Sequence, residues 1–166
     1  MPKEFKDSTM WPELHEAVSG EIEEYNLYYA FQHKNRDARC IDDWDTNIMG
    51  RFGCPNEACR STGWSSKKIA TTIRHYPNNR HNAKVWYQRC KRCDTKGVIT
   101  LNVESYVERV VYWLKRWNDI PTEKHYHSGA SKGPHLRKYC EGCKAGRCAA
   151  ADAEDLANLM SSLKWD

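Results

Sequence analysis

The sequence predicts an α+β fold: a small zinc-stabilised antiparallel sheet flanked by helices. Three observations lead there. Eight cysteines occur in 166 residues, and seven of them fall in close groups. Two runs rich in β-branched residues are separated by a turn-like stretch. Helical periodicity brackets that region on both sides.

At the N-terminal end, Trp11, Leu14, Val18, Ile22 and Tyr25 recur at helical spacing, and Pro12 suits a first turn. This predicts a helix from about Trp11 to Phe31, with Gly20 as a weak point. An acidic, polar connection follows to about Asn47. Next, "KKIATTIRHY" reads as a strand, "PNNRHN" as a turn and "NAKVWYQRC" as the partner strand. "GVITL" adds a further short strand. From Asn102 to Trp117 the period is helical again, with Tyr106, Val110, Trp113 or Leu114, and Trp117 on one face. Asn102 or Ser105 is the expected cap, and Ser105 with Glu108 forms a capping-box pattern. "HSGASKGP" reads as a flexible loop, and "ADAEDLANLMSSLKW" as a short amphipathic helix. The expected organisation is a helical segment over 1–47 that packs on the core, a zinc-binding domain over 48–148 and a helical tail over 149–166.

The cysteine spacing carries the chemistry. Cys54 and Cys59 have four residues between them, Cys90 and Cys93 have two, and Cys140 and Cys143 have two. Cys148 follows Cys143 after four more. Such pairs make knuckles whose thiolates converge on one ion, and two knuckles complete a tetrahedral zinc site. Seven cysteines leave one ligand missing from two sites, and His135, five residues before Cys140, supplies it. The expected cofactor is therefore two zinc ions, held by Cys54, Cys59, Cys90, Cys93, His135, Cys140, Cys143 and Cys148. Spacing alone leaves both a sequential grouping and one with exchanged pairs open. Cys40 stands apart as a buried free thiol. His75, His81, His125 and His127 are reserve ligand candidates, each by itself read first as a structural or surface residue.

Disulfides are the competing use of eight cysteines. "MPKEFKDSTM" lacks the apolar stretch of a signal peptide. The longest apolar run, Val110–Leu114, is too short for a transmembrane segment. The expectation is a cytoplasmic or nuclear address, where thiols stay reduced and grouped cysteines bind metal.

Charge is unevenly spread. Residues 67–96 hold nine Lys or Arg against one acid, Asp94, whereas residues 1–50 hold five basic and eleven acidic side chains. A basic hairpin that also carries aromatic rings suits RNA or another nucleic acid, cations meeting phosphates and rings stacking on bases. The candidate contacts are Lys67, Lys68, Arg74, Arg80, Lys84 and Trp86. Arg89, Lys91 and Arg92 flank the thiolates and offset their charge. No P-C-x-x-C zinc-deaminase signature is present. Two closed four-ligand sites leave no coordination position for a catalytic water. The expectation is a non-enzymatic binding module. The alternative is a soluble protein adaptor or trafficking chaperone for membrane receptors that holds its protein partner through the helices.

"GRFGC", "GWSSKK", "YQRCKRC", "ESYVERV" and "GPHLRKYCEGCKAGRC" together cover most of residues 50–148. In this order they resemble the 3CxxC-type zinc-finger family, which includes receptor-transporter and zygote-arrest proteins. The resemblance implies the same eight zinc ligands. It points both to RNA binding and to the escort of membrane receptors. Two features depart from the family pattern. The first pair here is C-x4-C rather than C-x2-C, and the sequence ends soon after Cys148 without the membrane tail of many receptor-transporter proteins.

Overall fold

The computed structural model describes residues 2–122 and 135–150. The expected tail helix from residue 151, the loop over 127–134, His125 and His127 lie outside the described residues.

Seven strands form one sheet: β1 (Lys3–Glu4), β2 (Ser8–Met10), β3 (Ala30–Phe31), β4 (Asp42–Gly53), β5 (Trp64–Tyr76), β6 (Arg80–Trp86) and β7 (Val98–Leu101). Their order is β1-β2-β6-β5-β4-β7, all antiparallel, with β3 running parallel beside the start of β6. Three α-helices accompany them: α1 (His15–Ile22), α2 (Val103–Trp117) and α3 (Glu141–Lys144). The class is α+β, with modest helical cover.

The hairpin forms as its sequence predicts. Ile73 faces Ala83 and Tyr76 faces Arg80, and Asn78 and Asn79 take positive φ (64° and 53°) in the turn. Two left-handed residues in a tight turn match the right-handed twist of the flanking strands, and Asn tolerates that region. Val98–Leu101 also forms a strand, paired with Gly50–Gly53 of β4.

Three expectations are corrected. The N-terminal helix is much shorter than Trp11–Phe31. It has 3-10 turns at Pro12–Leu14 and Glu23–Tyr25, and Asn26 at φ 58° ends it before the chain enters β3. The last part of the acidic connection, from Asp42, is the start of β4, a 12-residue strand. Its acids hid the strand pattern, because each is held by a partner brought from elsewhere: Asp42 by His75, Asp43 and Asp45 by Arg147. The capping box is absent as well. The Ser105 backbone N–H donates to Asn102 Oδ1 (2.9 Å), which makes Asn102 the cap. The Ser105 hydroxyl instead accepts from the Met49 N–H (3.0 Å), tying α2 to β4.

The sheet is buried on both faces at its centre. On one face Ile48, Phe52, Ile69, Ile73 and Val85 pack against Val18 and Ile22 of α1 and Tyr106, Val110 and Leu114 of α2. On the other, Ala70 and Trp86 pack against Cys140, Cys148 and Ala150. Residues 69–74 of β5 are consequently an unbroken buried run, as expected for a strand covered on both sides. Among the described residues no helix is long and apolar enough to cross a membrane.

Candidate metal centres and the basic surface

Two clusters of ligand atoms form, each with its four atoms within 4.8 Å of one another. One is Cys54, Cys59, Cys90 and Cys93; the other is His135, Cys140, Cys143 and Cys148. The grouping is sequential, with no exchange of pairs.

In the first cluster, Cys54 sits just past the end of β4, and Cys59 is brought back by a turn. The Cys59 N–H donates to the Asn56 carbonyl (2.9 Å) and the Ala58 N–H to Asn56 Oδ1 (3.1 Å). This Asx-type turn lets a four-residue spacer bring both sulfurs together. Cys90 and Cys93 lie in a tight loop beyond β6. There the Asp94 N–H donates to the Cys90 carbonyl (2.7 Å), the Cys90 N–H donates to the Thr95 carbonyl (2.9 Å), and Asp94 is left-handed (φ 59°). Across the pairs, Cys54 Sγ is 3.4 Å from Cys93 Sγ, and Cys59 Sγ is 3.8 Å from Cys90 Sγ.

The second cluster is laid on the sheet. Gln88 bridges Cys140 in antiparallel register, the Arg89 N–H donates to the Tyr139 carbonyl (2.7 Å), and the Glu141 N–H donates to the Tyr87 carbonyl (3.0 Å). Cys140 Sγ caps α3 by accepting from the Cys143 N–H (3.4 Å). Gly146 at φ 71° ends that turn, a conformation that costs glycine little. His135 Nε2 lies 3.2 Å from Cys143 Sγ and 3.5 Å from Cys148 Sγ. Two ionic pegs hold the segment down: Arg89 Nε to Glu141 (2.6 Å), and Arg147 to Asp43 (3.0 Å) and Asp45 (3.1 Å).

These donor sets fit zinc. Tetrahedral zinc with bonds of about 2.3 Å to sulfur places sulfurs about 3.8 Å apart, close to the spacings here. The thiols also need a cation. Hydrogen bonds from the Thr95 hydroxyl and N–H bring Cys93 down to about 6. Cys54 is pushed up to about 12: a backbone contact at Asn56 lowers it, but desolvation and the neighbouring thiols prevail. Cys140 is raised by the Cys148 sulfur and then by burial, and burial lifts Cys143 to about 12. Four crowded sulfurs cannot all ionise unless a divalent ion compensates them.

A family model described as a zinc-binding domain, of the 3CxxC zinc-ribbon type, matches residues 47–146. The chain belongs to this family. The match contains seven of the eight ligands of the 3CxxC zinc-ribbon domain. It stops two residues short of Cys148, which the structure places as the eighth. The two clusters and the family together give a domain that takes two zinc ions. Comparison with curated proteins and with solved structures finds no match.

The six candidate nucleic-acid contacts are not brought together. Arg74 is fully buried. It donates to Asn82 Oδ1 (2.8 Å) and Asn35 Oδ1 (2.7 Å), and pairs with Asp37 (3.1 Å). Trp86 is buried beneath the second cluster, with its indole N–H donated to Thr72 Oγ1 (3.1 Å). Lys84 is half-buried over the Trp86 ring (4.0 Å), and Asp7 lies 4.0 Å away. Lys68 is part-buried, and its carbonyl accepts from Gln88 Nε2. Lys67 and Arg80 are exposed, but they lie near opposite ends of the hairpin, about 30 Å apart at about 3.3 Å per residue. The reason is topological: a strand covered on both faces turns its cations inward or onto rings.

Other residues that the sequence suggested fall outside both metal clusters. Cys40 is half-buried rather than buried, and its thiol donates to the Asp42 carbonyl (3.0 Å). His75 lies between Tyr29, Asp42 and Trp117. His81 is fully buried, its Nε2 2.9 Å from His15 Nδ1.

A different basic surface borders the zinc clusters. Lys91, Arg92 and Lys138 are exposed there. The Tyr139 hydroxyl donates to the Lys91 carbonyl (3.2 Å), joining the two zinc-binding loops. Lys138 lies over the Tyr139 ring (5.0 Å) and Lys96 over the Tyr87 ring (4.4 Å). The sequence alone assigns Lys91 and Arg92 to charge compensation and does not single out Lys138 and Tyr139. The run of Lys/Arg in "HLRKYC" is the available signal, but spacing cannot bring it beside "CKRC".

Proposed function

We propose that the protein is a non-enzymatic, zinc-organised module that binds single-stranded RNA along the basic rim between its two zinc clusters. The observation that supports this reading is the Tyr139–Lys91 hydrogen bond, which brings the loop carrying exposed Lys91 and Arg92 beside the segment carrying exposed Lys138. Phosphates suit exposed cations, and the part-exposed Tyr139 ring offers a stacking face. Four thiolates in the first site and three in the second exceed the charge of one divalent ion each. Arg89 is committed to Glu141 and the Asp94 carbonyl, so it is not among the rim cations offered to a ligand.

The test is binding of labelled single-stranded RNA at two or more salt concentrations by zinc-loaded protein. Lys91→Gln and Arg92→Gln are expected to weaken binding and to reduce the salt slope by about 1 for each phosphate no longer neutralised. Arg80→Gln, at the hairpin turn, is expected to bind as wild type. Wild-type protein with no affinity for RNA at low salt overturns the reading. It would leave the adaptor or receptor-chaperone role, whose aromatic contacts would be insensitive to salt.

A further inference from the structure

A cavity of about 320 Å³ opens between the first half of β4 and the outer flank of α2. Trp44 and Thr46 line it from the strand, and Glu108, Arg109, Tyr112, Trp113 and Arg116 from the helix. It is separate from both metal clusters. We propose that this cavity is a nucleotide site, with a base stacked on the open face of Trp44, which Trp113 backs, and a phosphate held by Arg109 and Arg116.

Stacking is prepared by the rings. Trp44 and Trp113 lie face to face, with centroids 4.3 Å apart and planes 25° apart, and Trp44 is still 49% exposed. Tyr112 closes on Trp113 edge-on (5.2 Å, 79°). A large, rigid, half-open indole platform is costly to leave in water and suits the face of a planar ligand.

Charge selects among planar ligands. Two guanidinium groups face one carboxylate, so a cationic ligand such as a methylated amine is disfavoured. The Arg116 guanidinium lies 5.6 Å from the Trp113 ring centroid, and its Nη1 donates to the Tyr112 hydroxyl (3.3 Å). Arg109 Nε and Trp113 Nε1 are buried with no hydrogen-bond partner among the described residues. A wholly apolar ligand would leave such donors unmatched, a state that native proteins seldom retain without a use. An anion answers the Arg109 guanidinium, while Thr46 offers its hydroxyl to the edge of a base. The volume lies at the lower end of small-ligand sites, which suits one nucleotide unit and excludes a folded peptide.

This site does not depend on the basic rim, and its ligand has two sources: a free nucleoside monophosphate or one unit of an RNA strand. Zinc-loaded full-length protein is titrated with AMP, GMP, CMP and UMP, and separately with a short oligouridylate, while tryptophan fluorescence is followed. Saturable quenching by a mononucleotide is expected, weakened at least tenfold in Trp44→Ala and in Arg116→Gln and retained in Trp44→Phe. Thermal melting of each variant checks folding. Trp44-dependent quenching by the oligonucleotide alone assigns the site to a strand and also supports it. Absence of saturable quenching by every probe overturns the proposal, as does quenching unaltered in both Trp44→Ala and Arg116→Gln. Rim variants report on the RNA reading separately, because Lys91→Gln leaves the cavity intact.

Discussion

Gly142 of α3 rests against Ala70 of β5 with no room for a side chain between them. A Cβ at position 142 would stand 2.4 Å from the Ala70 Cβ and 3.3 Å from Trp86 Cγ. Neither neighbour can yield, because Ala70 belongs to a buried strand and Trp86 to the same layer. Gly142→Ala is therefore expected to lift the second zinc cluster from the sheet, at about 1–3 kcal/mol for overpacking. Thermal melts of the zinc-loaded variant measure this. An unchanged melting temperature would mean that α3 is only loosely docked.

Native protein is expected to contain two zinc ions per chain by elemental analysis. Cys143→Ser should lower this to one and leave the protection of β5 and β6 against hydrogen exchange largely intact. Cys90→Ser should lose both, because the loop it anchors adjoins the strand extension on which the second cluster is laid. Equal loss of protection throughout both variants would show that the clusters fold as one unit.

Arg74 organises the loop over residues 32–40 rather than a ligand surface. Its guanidinium holds Asn35, Asp37 and Asn82, and Asn82 Nδ2 in turn donates to the Gln32 carbonyl (3.0 Å). Arg74→Met should cost about 3 kcal/mol, since the buried Asn82 amide oxygen and the part-buried one of Asn35 lose their donor. Urea denaturation reads the loss, and wild-type stability would sink this account.

Acid should weaken the contact between α1 and the sheet. His81 is held to about 3 by burial first, and then by the charges of His15 and His75. His15 is lowered too, mainly by burial. Tyr29, Phe31 and Ser19 complete the surroundings and bring no opposing charge. The folded pKa is depressed, so the unfolded chain binds more protons between about 3 and about 6.5. Stability is full above about 6.5 and falls as pH drops through that window, by at most about 1.4 kcal/mol per pH unit for His81. His81→Phe should flatten the dependence between pH 6.5 and 5, measured with zinc content held constant. An equal slope in the variant would assign it to the thiol ligands instead.

The hairpin, β7, α2 and the zinc ligands were legible in the sequence because local chemistry determines them. Asn-rich turns, an Asn cap and cysteine spacing act over a few residues. The strand β4 was not, since its acids are answered by Arg147, about a hundred positions away. The extended N-terminal helix was overread for a related reason. Trp11, Leu14, Val18, Ile22 and Tyr25 do share a period, yet Asn26 turns the chain, and the parallel pairing of β3 with β6 is a long-range fact. The burial of Arg74 and Trp86 was equally hidden: nothing local reveals that a strand will be covered twice.

The antiparallel bridge between Gln88 and Cys140 also makes the seat of the second cluster depend on the first. Residues 87–90 are fixed from one side by β6 and from the other by the first cluster, and only then do they offer an edge to Tyr139, Cys140 and Glu141. In a cell short of zinc, the first ion to arrive would complete the sheet. The second would decide whether the arm over residues 135–150 lies down on it. Half-loaded protein would then be a folded sheet whose Trp86 had lost its cover of Cys140, Cys148 and Ala150.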